Sequence, residues 1–279
     1  MNYNIRPATR KELDVAIEWA SKEGWNPGLY DADTFYASDP RGYLIGFLDK
    51  EPIASLSAVS YGPNFGFLGF YIVKPEHRGK GYGWKLWQKA MQYLNTQNIG
   101  LDGVIAQQEN YKKSGFTLAY SNIRYEGAGN KNDKKFPNII PIEKIPFEQL
   151  LRYDRQFFPA NREQFLRLWI KQPESLSLGY VKDKKIVGYG MVRKCRIGYK
   201  VGPLFADTAK IADDLFQQFL SFVGKEKIYL DVPEVNKEAV TLAKRYNMLP
   251  IFGTARMYTK KVPKLPLHRI FGVTTFELG

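Results

Sequence analysis

Apolar and polar positions in the first half of the chain alternate in a mixed α/β order. Strands are predicted near 2–7, 43–48, 53–60, 66–73, 101–105 and 116–125. Helices with one apolar face are predicted from Thr9 to Lys22, from about Asp31, over 81–95 and over 108–114. Thr9 and Glu12 have the spacing of a capping box, which sets the start of the first helix.

The second half repeats the later part of this order. It predicts a hairpin at 177–194, strands near 197–201, 227–232 and 250–258, and helices at 208–223 and 235–247. At an offset of 133 residues, GFLDKEPIASLSAV (46–59) aligns with GYVKDKKIVGYGMV (179–192). Both segments have the pattern of a hairpin, so we interpret the two halves as copies of one architecture.

The stretch between the halves, EGAGNKNDKKFPN (126–138), is rich in Gly, Asn and Lys and is typical of a linker. We therefore expect two tandem domains, at 1–127 and 139–279. The predicted fold class is α/β, with α+β mixed sheets.

Composition narrows the class of protein. A hydrophobic content of 44% and a charged content of 25% are those of a globular chain. No apolar run reaches membrane-span length, the start lacks a signal-peptide core, and the lone Cys195 fits a reducing compartment, so we expect a cytoplasmic protein. Two histidines and one cysteine, far apart, predict no His/Cys metal site.

The net charge of +13 lies almost entirely in the second half. Residues 1–128 carry 14 basic and 13 acidic side chains, whereas residues 129–279 carry 27 and 15, giving +1 and +12. Such a surface attracts nucleic acid, anionic lipid or a small anion, or is simply solvated. No aromatic-and-basic recognition motif accompanies the charge, so we do not expect nucleic-acid binding.

The candidate chemistry lies in YIVKPEHRGKGYGWKLWQKAM, residues 71–91. A strand ends there, and Gly79, Gly81 and Gly83 lead into a helix whose free N–H groups favour an anion such as pyrophosphate. Arg78 and Lys80 add positive charge. Neither the P-loop spacing nor the Gly-x-Gly-x-x-Gly dinucleotide fingerprint fits these glycines.

The run from Arg78 to Gly83, after a strand and before an amphipathic helix, resembles the acyl-CoA signature of the GNAT N-acetyltransferase superfamily. YKKSGF (111–116) supplies the downstream Tyr-x-x-x-Gly-Phe. GWNPG (24–28), TARMY (254–258) and the segment FGVTTFELG are similar to a bacterial branch in which a GNAT domain precedes a GNAT-like domain. The resemblance implies acetyl-CoA as cosubstrate.

The resemblance also implies roles for individual residues. It places contacts to acetyl-CoA at Tyr71, Ile72, Val73, Arg78, Gly79, Lys80, Gly81, Tyr82, Gly83 and Asn110. It places the acid that protonates the leaving thiolate at Tyr111, whose phenol pKa of ~10 nearly matches that of a thiol.

The acceptor side is less defined by the sequence. Glu109 and Asp102 are candidate bases, a water chain is the alternative, and none is assigned. Substrate-binding candidates are Trp25, Tyr30, Asp31, Glu109 and Arg256, each with a purely structural alternative. Arg256 would contact an anionic group of the acceptor.

The second half lacks the acid and the glycine turn. The family pattern aligns on Asn236 and Ala239 but puts Ala243 in the tyrosine place and Asn247 and Met248 at Gly-Phe. We therefore expect an inert copy that walls the acceptor site and favours an acceptor with a carboxylate or phosphate. An oligomer interface and simple stabilisation are alternatives, and monomer and homodimer both stay open.

These features predict an N-acetyltransferase that moves an acetyl group from acetyl-CoA to a primary amine of a small molecule. Direct attack in a ternary complex is expected because no cysteine lies in the motif to carry the acetyl group. The alternatives are acetylation of a protein N-terminus or lysine, and a non-catalytic acyl-CoA-binding regulator.

Overall fold

One mixed sheet of 13 strands runs through the computed structural model, which describes residues 2–95, 97–131 and 134–279. The strands are β1 (Tyr3–Pro7), β2 (Tyr43–Leu48), β3 (Glu51–Ser60), β4 (Phe65–Val73), β5 (Asn98–Val104), β6 (Thr117–Ala128), β7 (Ile139–Pro141), β8 (Ser175–Lys182), β9 (Lys185–Lys194), β10 (Tyr199–Ala206), β11 (Lys227–Pro233), β12 (Leu249–Tyr258) and β13 (Ile270–Gly272). The helices are α1 (Arg10–Lys22), α2 (Asp31–Ser38), α3 (Tyr82–Tyr93), α4 (Gln108–Lys113), α5 (Phe147–Asp154), α6 (Glu163–Trp169), α7 (Ala209–Val223) and α8 (Lys237–Arg245). This is the mixed α/β class predicted from the sequence.

The first helix begins where its capping residues place it. The Thr9 hydroxyl accepts the backbone N–H of Glu12 at 3.3 Å, and the Glu12 carboxylate accepts the N–H of Thr9 at 2.8 Å. This reciprocal pair satisfies two of the free donors at the start of α1 and confirms the predicted capping box. Leu13, Ile17 and Ala20 then turn toward the core.

The internal match falls on two antiparallel hairpins. β2 pairs with β3, and β8 pairs with β9 in the same way. After each hairpin come a strand, a helix, a strand, a short helix and a last strand, which end in β6 in the first half and in β12 in the second. The predicted repetition of the order of elements is therefore confirmed.

The last strand of each half is seated in the sheet of the other half. The order is β1-β2-β3-β4-β5-β12-β6-β11-β10-β9-β8-β7. β12 thus lies between β5 and β6, antiparallel to both, and the other edge of β6 pairs with β11. The two halves share one sheet, while the division at 1–127 and 139–279 stays a prediction. Residues 132 and 133 of the expected linker lie outside the described residues.

The second half forks between β10 and β11, and the chain itself fills the fork. The two strands pair in parallel only as far as Val201↔Leu230. β13 enters beside β10 and pairs antiparallel with it, with Leu204 opposite Gly272. The N–H of Val273 donates to a carbonyl of β11 at 2.9 Å. In the first half, the corresponding fork opens into the cavity described below.

The hydrophobic pattern does not predict β7, α5, α6 or β13. Each has eight residues or fewer, a length over which periodicity resolves poorly. Trp169 of α6 stacks on Phe35 of α2 with ring centroids 5.8 Å apart, so this missed helix packs the second half onto the first. Within the described ranges, no helix is both long and apolar enough to cross a membrane.

Candidate active site

The turn between β4 and α3 has a backbone conformation that glycine adopts easily. Gly79 has φ 75°, and Gly81, the residue before α3, has φ 81°. A Cβ added at either glycine would meet no atom within 4 Å, so the turn faces open space. The first N–H groups of α3 have no partners inside the helix, and the helix dipole adds positive character there. A pyrophosphate fits this cradle, which a side chain would fill.

The third glycine of the turn brings α3 close to β4. A Cβ at Gly83 would lie 2.8 Å from the Tyr71 hydroxyl oxygen and 2.9 Å from a methyl carbon of Val73. These distances are shorter than carbon contacts allow, so only glycine fits between the helix and the strand.

The two basic side chains of the turn differ in position. Arg78 borders the cavity, where its Nε donates to the carbonyl of Val73 at 2.8 Å and its guanidinium pairs with Glu23. Lys80 is exposed, and its Nζ donates to the carbonyl of Glu76 at 2.8 Å. Lys80 therefore lies outside the cavity lining, and its expected contact with acetyl-CoA stays a prediction.

β4 and β5 part at the point where the cavity begins. They pair in parallel only as far as Leu68↔Leu101. Phe70 has φ 47°, and the register with β3 shifts beside it, as in a β-bulge that bends a strand. The Ser55 hydroxyl donates to the Phe70 carbonyl at 3.0 Å and holds this bend. Within the described residues, β4 has no partner strand on the β5 side from Gly69 to Val73, a stretch that includes Tyr71, Ile72 and Val73.

Tyr111 lies on α4 beside the other arm of this fork. Its ring packs against the bare Cα of Gly103 in β5, because a Cβ there would lie 2.1 Å from the ring. Trp87 of α3 stacks on the ring with centroids 5.7 Å apart. Tyr111 lines the cavity, and its hydroxyl forms no hydrogen bond within the described part of the chain and is not fully enclosed by it. Burial, with a smaller effect of Tyr71, raises the pKa of Tyr111 to about 12.

A cavity of about 490 Å³ joins the glycine turn, the fork and Tyr111. The predicted site residues that line it are Trp25, Tyr71, Ile72, Val73, Arg78, Gly79, Gly81, Tyr82, Gly83 and Tyr111. From the second half, the lining residues are Phe252, Thr254, Phe276 and Glu277. Both halves therefore form the wall of a single cavity.

Arg256 forms a buried ion pair and does not line this cavity. Its Nε donates to Asp102 Oδ1 at 2.9 Å and its Nη2 to Oδ2 at 2.5 Å. Asn122 also donates to Oδ1, at 2.7 Å. Burial raises the pKa of Asp102, and Arg256 and Asn122 partly offset this effect. Asp102 borders the cavity, but its engaged oxygens are poorly placed to act as a base. The expected contact of Arg256 with an acceptor anion is corrected to this ion pair.

Two residues expected to hold the acceptor amine instead join the two halves. The buried Asp31 carboxylate accepts from Arg193 Nε at 2.8 Å and Nη2 at 3.0 Å, and from the N–H of Gly28 at 2.9 Å. An interior carboxylate needs such a partner. The hydroxyl of Tyr30 donates to Glu174 at 2.5 Å on the surface. Neither Asp31 nor Tyr30 lines the cavity.

Two predicted residues of α4 lie on its outer face. Glu109 is exposed and pairs with Lys112 at 2.7 Å. The exposed Asn110 donates from its Nδ2 to Gln107 Oε1 at 2.7 Å. The helix turns Tyr111 inward and leaves Glu109 and Asn110 outside the cavity lining, so their contacts with the acceptor and with acetyl-CoA stay predictions.

The sequence pattern does not point to the residues on the acceptor side. Arg124 lines the cavity, pairs with Asp231 at 2.7 and 2.8 Å, and donates to the carbonyl of Trp25 at 2.6 Å. Phe276 and Phe252 flank its guanidinium, with centroids at 5.0 and 5.8 Å. These side chains come from distant parts of the chain, and only the fold brings them together.

The segment 270–279 is buried along its whole length and carries one charged residue, Glu277. A Cβ at Gly69 in β4 would lie 2.2 Å from the carbonyl oxygen of Glu277, so the segment touches the fork directly. The Tyr61 hydroxyl donates to the carbonyl of Leu278 at 3.1 Å. A single carboxylate in the apolar run FGVTTFELG was the available signal for this site residue.

One group of potential metal ligands occurs in the described residues, where Glu51, Glu76 and His77 bring ligand atoms within 4.8 Å of one another. Glu51 already pairs with Lys74 at 2.5 Å, and both carboxylates are exposed. Exposed groups of this kind are common without an ion, so we assign no metal to them.

Two family models match the sequence on either side of the predicted boundary. The acetyltransferase (GNAT) family model matches residues 11–116, and an acetyltransferase (GNAT) domain model matches residues 150–272. A holothin acyltransferase of Pseudoalteromonas sp. (strain SANK 73390) is 30% identical over 278 residues, which cover 99% of this chain and 95% of that protein. An uncharacterized protein of Caenorhabditis elegans is 32% identical over 173 residues, 55% of this chain and 54% of that protein.

Solved structures show the same architecture. A putative acetyltransferase from Pyrococcus horikoshii superposes with a TM-score of 0.85 at 21% identity, covering 99% of this chain and 96% of that one. A tandem GNAT protein from the clavulanic acid biosynthesis pathway gives 0.63 at 10% identity, with 94% and 100% covered. At these identities the likeness establishes the tandem GNAT fold alone.

Proposed function

The chain belongs to the acetyltransferase (GNAT) family of acyltransferases, and from this premise we propose that it transfers an acetyl group from acetyl-CoA to a primary amine of a small molecule. The transfer is a direct attack in a ternary complex. One observation carries this proposal: a cavity of about 490 Å³ is lined by the glycine turn, by Tyr111 and by residues of the second half.

Each part of the cavity fits one part of an acyl-CoA. Gly79, Gly81 and the first N–H groups of α3 would hold the pyrophosphate. The unpaired strand edge at 71–73 would hold the pantetheine arm and the acetyl oxygen through backbone N–H groups. Acetyl-CoA supplies the acetyl group as an activated thioester.

Tyr111 is the acid in this proposal. Its hydroxyl is free for a ligand, and with a pKa of about 12 the phenol stays protonated at neutral pH. It is a weaker acid than free tyrosine. We expect it to donate a hydrogen bond to the sulfur first, and to release its proton as negative charge accumulates there.

The surroundings of Cys195 favour direct attack over a covalent acetyl-enzyme. Cys195 is fully buried, burial raises its pKa, and it does not line the cavity. A neutral thiol away from the thioester makes a poor nucleophile.

The walls favour a small acceptor over a protein chain. Phe252 and Phe276 of the second half line the cavity together with Trp25 of the first half. An open groove would suit a peptide better than this two-sided enclosure. The free Tyr111 hydroxyl favours turnover over a purely regulatory CoA site.

The proposal is tested by thiol release with acetyl-CoA and a panel of amines. The panel includes aryl and alkyl amines, amino acids, polyamines, amino sugars, a lysine peptide and, because of the relative's name, holothin. We expect release of CoA thiol that depends on one class of small amine, and a product heavier by one acetyl group. Release only with the peptide, or none above the hydrolysis rate with acetyl-CoA or longer acyl-CoAs, would contradict the proposal.

A further inference from the structure

The two arms of the fork between β4 and β5 each carry one group suited to proton transfer. On the β5 arm, the Tyr111 ring rests on Gly103. On the β4 arm, the backbone of Glu277 rests on Gly69, one residue beyond the last β4–β5 pair at Leu68. Tyr111 and Glu277 both line the same cavity. An acid and a carboxylate therefore flank the place where the strands separate.

The Glu277 carboxylate is held at one oxygen and free at the other. The Thr275 hydroxyl donates to Oε2. Oε1 has no hydrogen-bond partner within the described residues and is not enclosed by them. Because the residue is 95% buried yet borders the cavity, Oε1 is accessible only to a cavity occupant. One carboxylate oxygen is thus available to a bound amine.

Each of the two arginines that lie near Glu277 has a carboxylate of its own. Arg124 has its own carboxylate in Asp231, and Arg193 has Asp31. The groups that interact electrostatically with Glu277 include Arg124, Arg193, Lys200 and Tyr43.

Lys200 is the one of these cations that has no carboxylate hydrogen-bonded to it. Its Nζ donates to the carbonyls of Asn26 at 2.8 Å and Trp25 at 3.4 Å. Burial lowers the pKa of Lys200, and the nearby Glu277 carboxylate counteracts this lowering. A carboxylate at this position can accept a proton and can bind an ammonium ion.

The remaining acceptor surface is aromatic. Trp25, Phe252 and Phe276 line the cavity, and Arg124 between the two phenylalanines is already paired with Asp231. Aromatic walls favour flat apolar bodies. Among the described residues, the second half contributes no basic side chain to the lining despite its charge of +12, so its wall offers no cation to an acceptor carboxylate.

We infer that Glu277 is the base of the reaction and that the acceptor is a primary amine on a flat apolar body without a carboxylate. The inference rests on the proposed function. Glu277 takes one proton from the ammonium group, and the freed electron pair forms a bond to the acetyl carbon. The carbon–sulfur bond breaks with its pair on sulfur, which takes the Tyr111 proton. The new amide nitrogen loses a second proton, which returns to Tyr111 through water. The balance is an N-acetyl amine, a CoA thiol and one proton released by Glu277.

The test compares phenethylamine with phenylalanine, which differ by one carboxylate, in the wild-type protein and in Glu277→Gln. In the wild type we expect kcat/KM for phenethylamine to exceed that for phenylalanine at least tenfold. Glu277→Gln should lower kcat/KM for phenethylamine by roughly 10²–10⁴, the usual worth of a general base, and reduce the preference between the two amines. Raising the pH toward the amine pKa should narrow the loss, because solvent then supplies the free amine.

Three controls separate this inference from damage to the fold and from failure of the proposed function. Acetyl-CoA affinity by calorimetry should be unchanged in Glu277→Gln, and Glu277→Asp should restore the preference for phenethylamine. Glu143→Gln, which removes an exposed carboxylate outside the cavity lining, should behave as wild type. Amine acetylation that is equally fast in Glu277→Gln, or faster with phenylalanine, overturns the inference alone. No acetylation of any amine by wild-type protein that binds acetyl-CoA overturns the proposed function.

Discussion

Gly81 combines two properties that a substitution can separate. Its φ of 81° disfavours most side chains, and the space around its missing Cβ is empty. Valine would fill the empty space, and it would also be strained, because a β-branched residue does not adopt positive φ easily. Asparagine tolerates the left-handed conformation, so it would only fill the empty space.

We therefore expect Gly81→Asn to weaken acetyl-CoA binding by more than tenfold with little loss of stability, and Gly81→Val to lose both affinity and about 1–3 kcal/mol. Calorimetric titration and thermal unfolding measure the two effects. Gly62→Asn is the matched control, since Gly62 has φ 88° and equally open surroundings but lies outside the cavity. Unchanged affinity in a folded Gly81→Asn would mean that the pyrophosphate lies elsewhere.

Tyr111→Phe removes the free hydroxyl and keeps the ring that packs on Gly103 and Trp87. We expect kcat to fall by roughly 10²–10⁴ while acetyl-CoA affinity changes little. Tyr93→Phe, which removes a hydroxyl bonded to Asp39 outside the cavity, is the control. Because burial raises the pKa of Tyr111 to about 12, activity should show no loss from its ionisation below pH 10. Near-normal turnover by Tyr111→Phe would assign thiolate protonation to water.

The site residues that the sequence could predict are those defined by local spacing. The glycine turn and Tyr111 follow from residues a few positions apart, and both line the cavity. Asp31 and Arg256 were expected to meet a ligand, but their partners lie 162 and 154 residues away in the chain. A sequence does not show which distant residue will pair with a charged side chain, so such a side chain is easily mistaken for one that binds a ligand.

Elements follow the same division between local and distant information. The hairpins, β5, β6 and β12 were located from their own apolar patterns. The neighbours of each strand could not be predicted in this way. The apolar pattern of β12 fits either sheet edge, and only tertiary packing places it between β5 and β6. The Asp102–Arg256 pair crosses from β5 to β12, so it holds the exchanged strand by charge as well as by backbone hydrogen bonds.

Arg256→Met should destabilise the fold by about 3–5 kcal/mol at pH 7, since it leaves the Asp102 carboxylate buried without its cation. Burial raises the pKa of Asp102, so its ionised form is disfavoured in the folded state. Stability linked to this group is therefore present at low pH and lost as pH rises through the folded pKa. Without Arg256 the pH dependence of stability becomes stronger. The loss of unfolding free energy in Arg256→Met should therefore become smaller as the pH is lowered from 8 to 5.

Urea unfolding at the two pH values measures this deficit. Asp102→Asn/Arg256→Met is the control, and it should recover part of the stability with no pH dependence between 5 and 8. If Arg256→Met has nearly the wild-type free energy of unfolding at both pH values, the Asp102–Arg256 pair contributes little to holding β12 in the sheet.

At the scale of the whole molecule, the shared sheet makes the two halves one cooperative unit. We expect a single calorimetric transition for the full chain. Residues 1–128 expressed alone should show no cooperative transition, because β5 and β6 lack β12 between them. Co-expressed fragments 1–131 and 134–279 should copurify and regain the transition. Cooperative unfolding of 1–128 alone, with acetyl-CoA bound, would refute the dependence of one half on the other.

The exchanged strands also fix an order of events during synthesis. Asp102 leaves the ribosome 154 residues before Arg256, which at 5–20 residues per second is roughly 8–30 s. During that interval β5 and β6 each expose an edge, because β12, the strand that lies between them, has not yet been synthesised. An unpaired strand edge can pair with another chain. The first half therefore cannot complete its sheet as the nascent chain emerges. Its correct folding in the cell depends on how long these exposed strand edges avoid pairing with another copy of the chain.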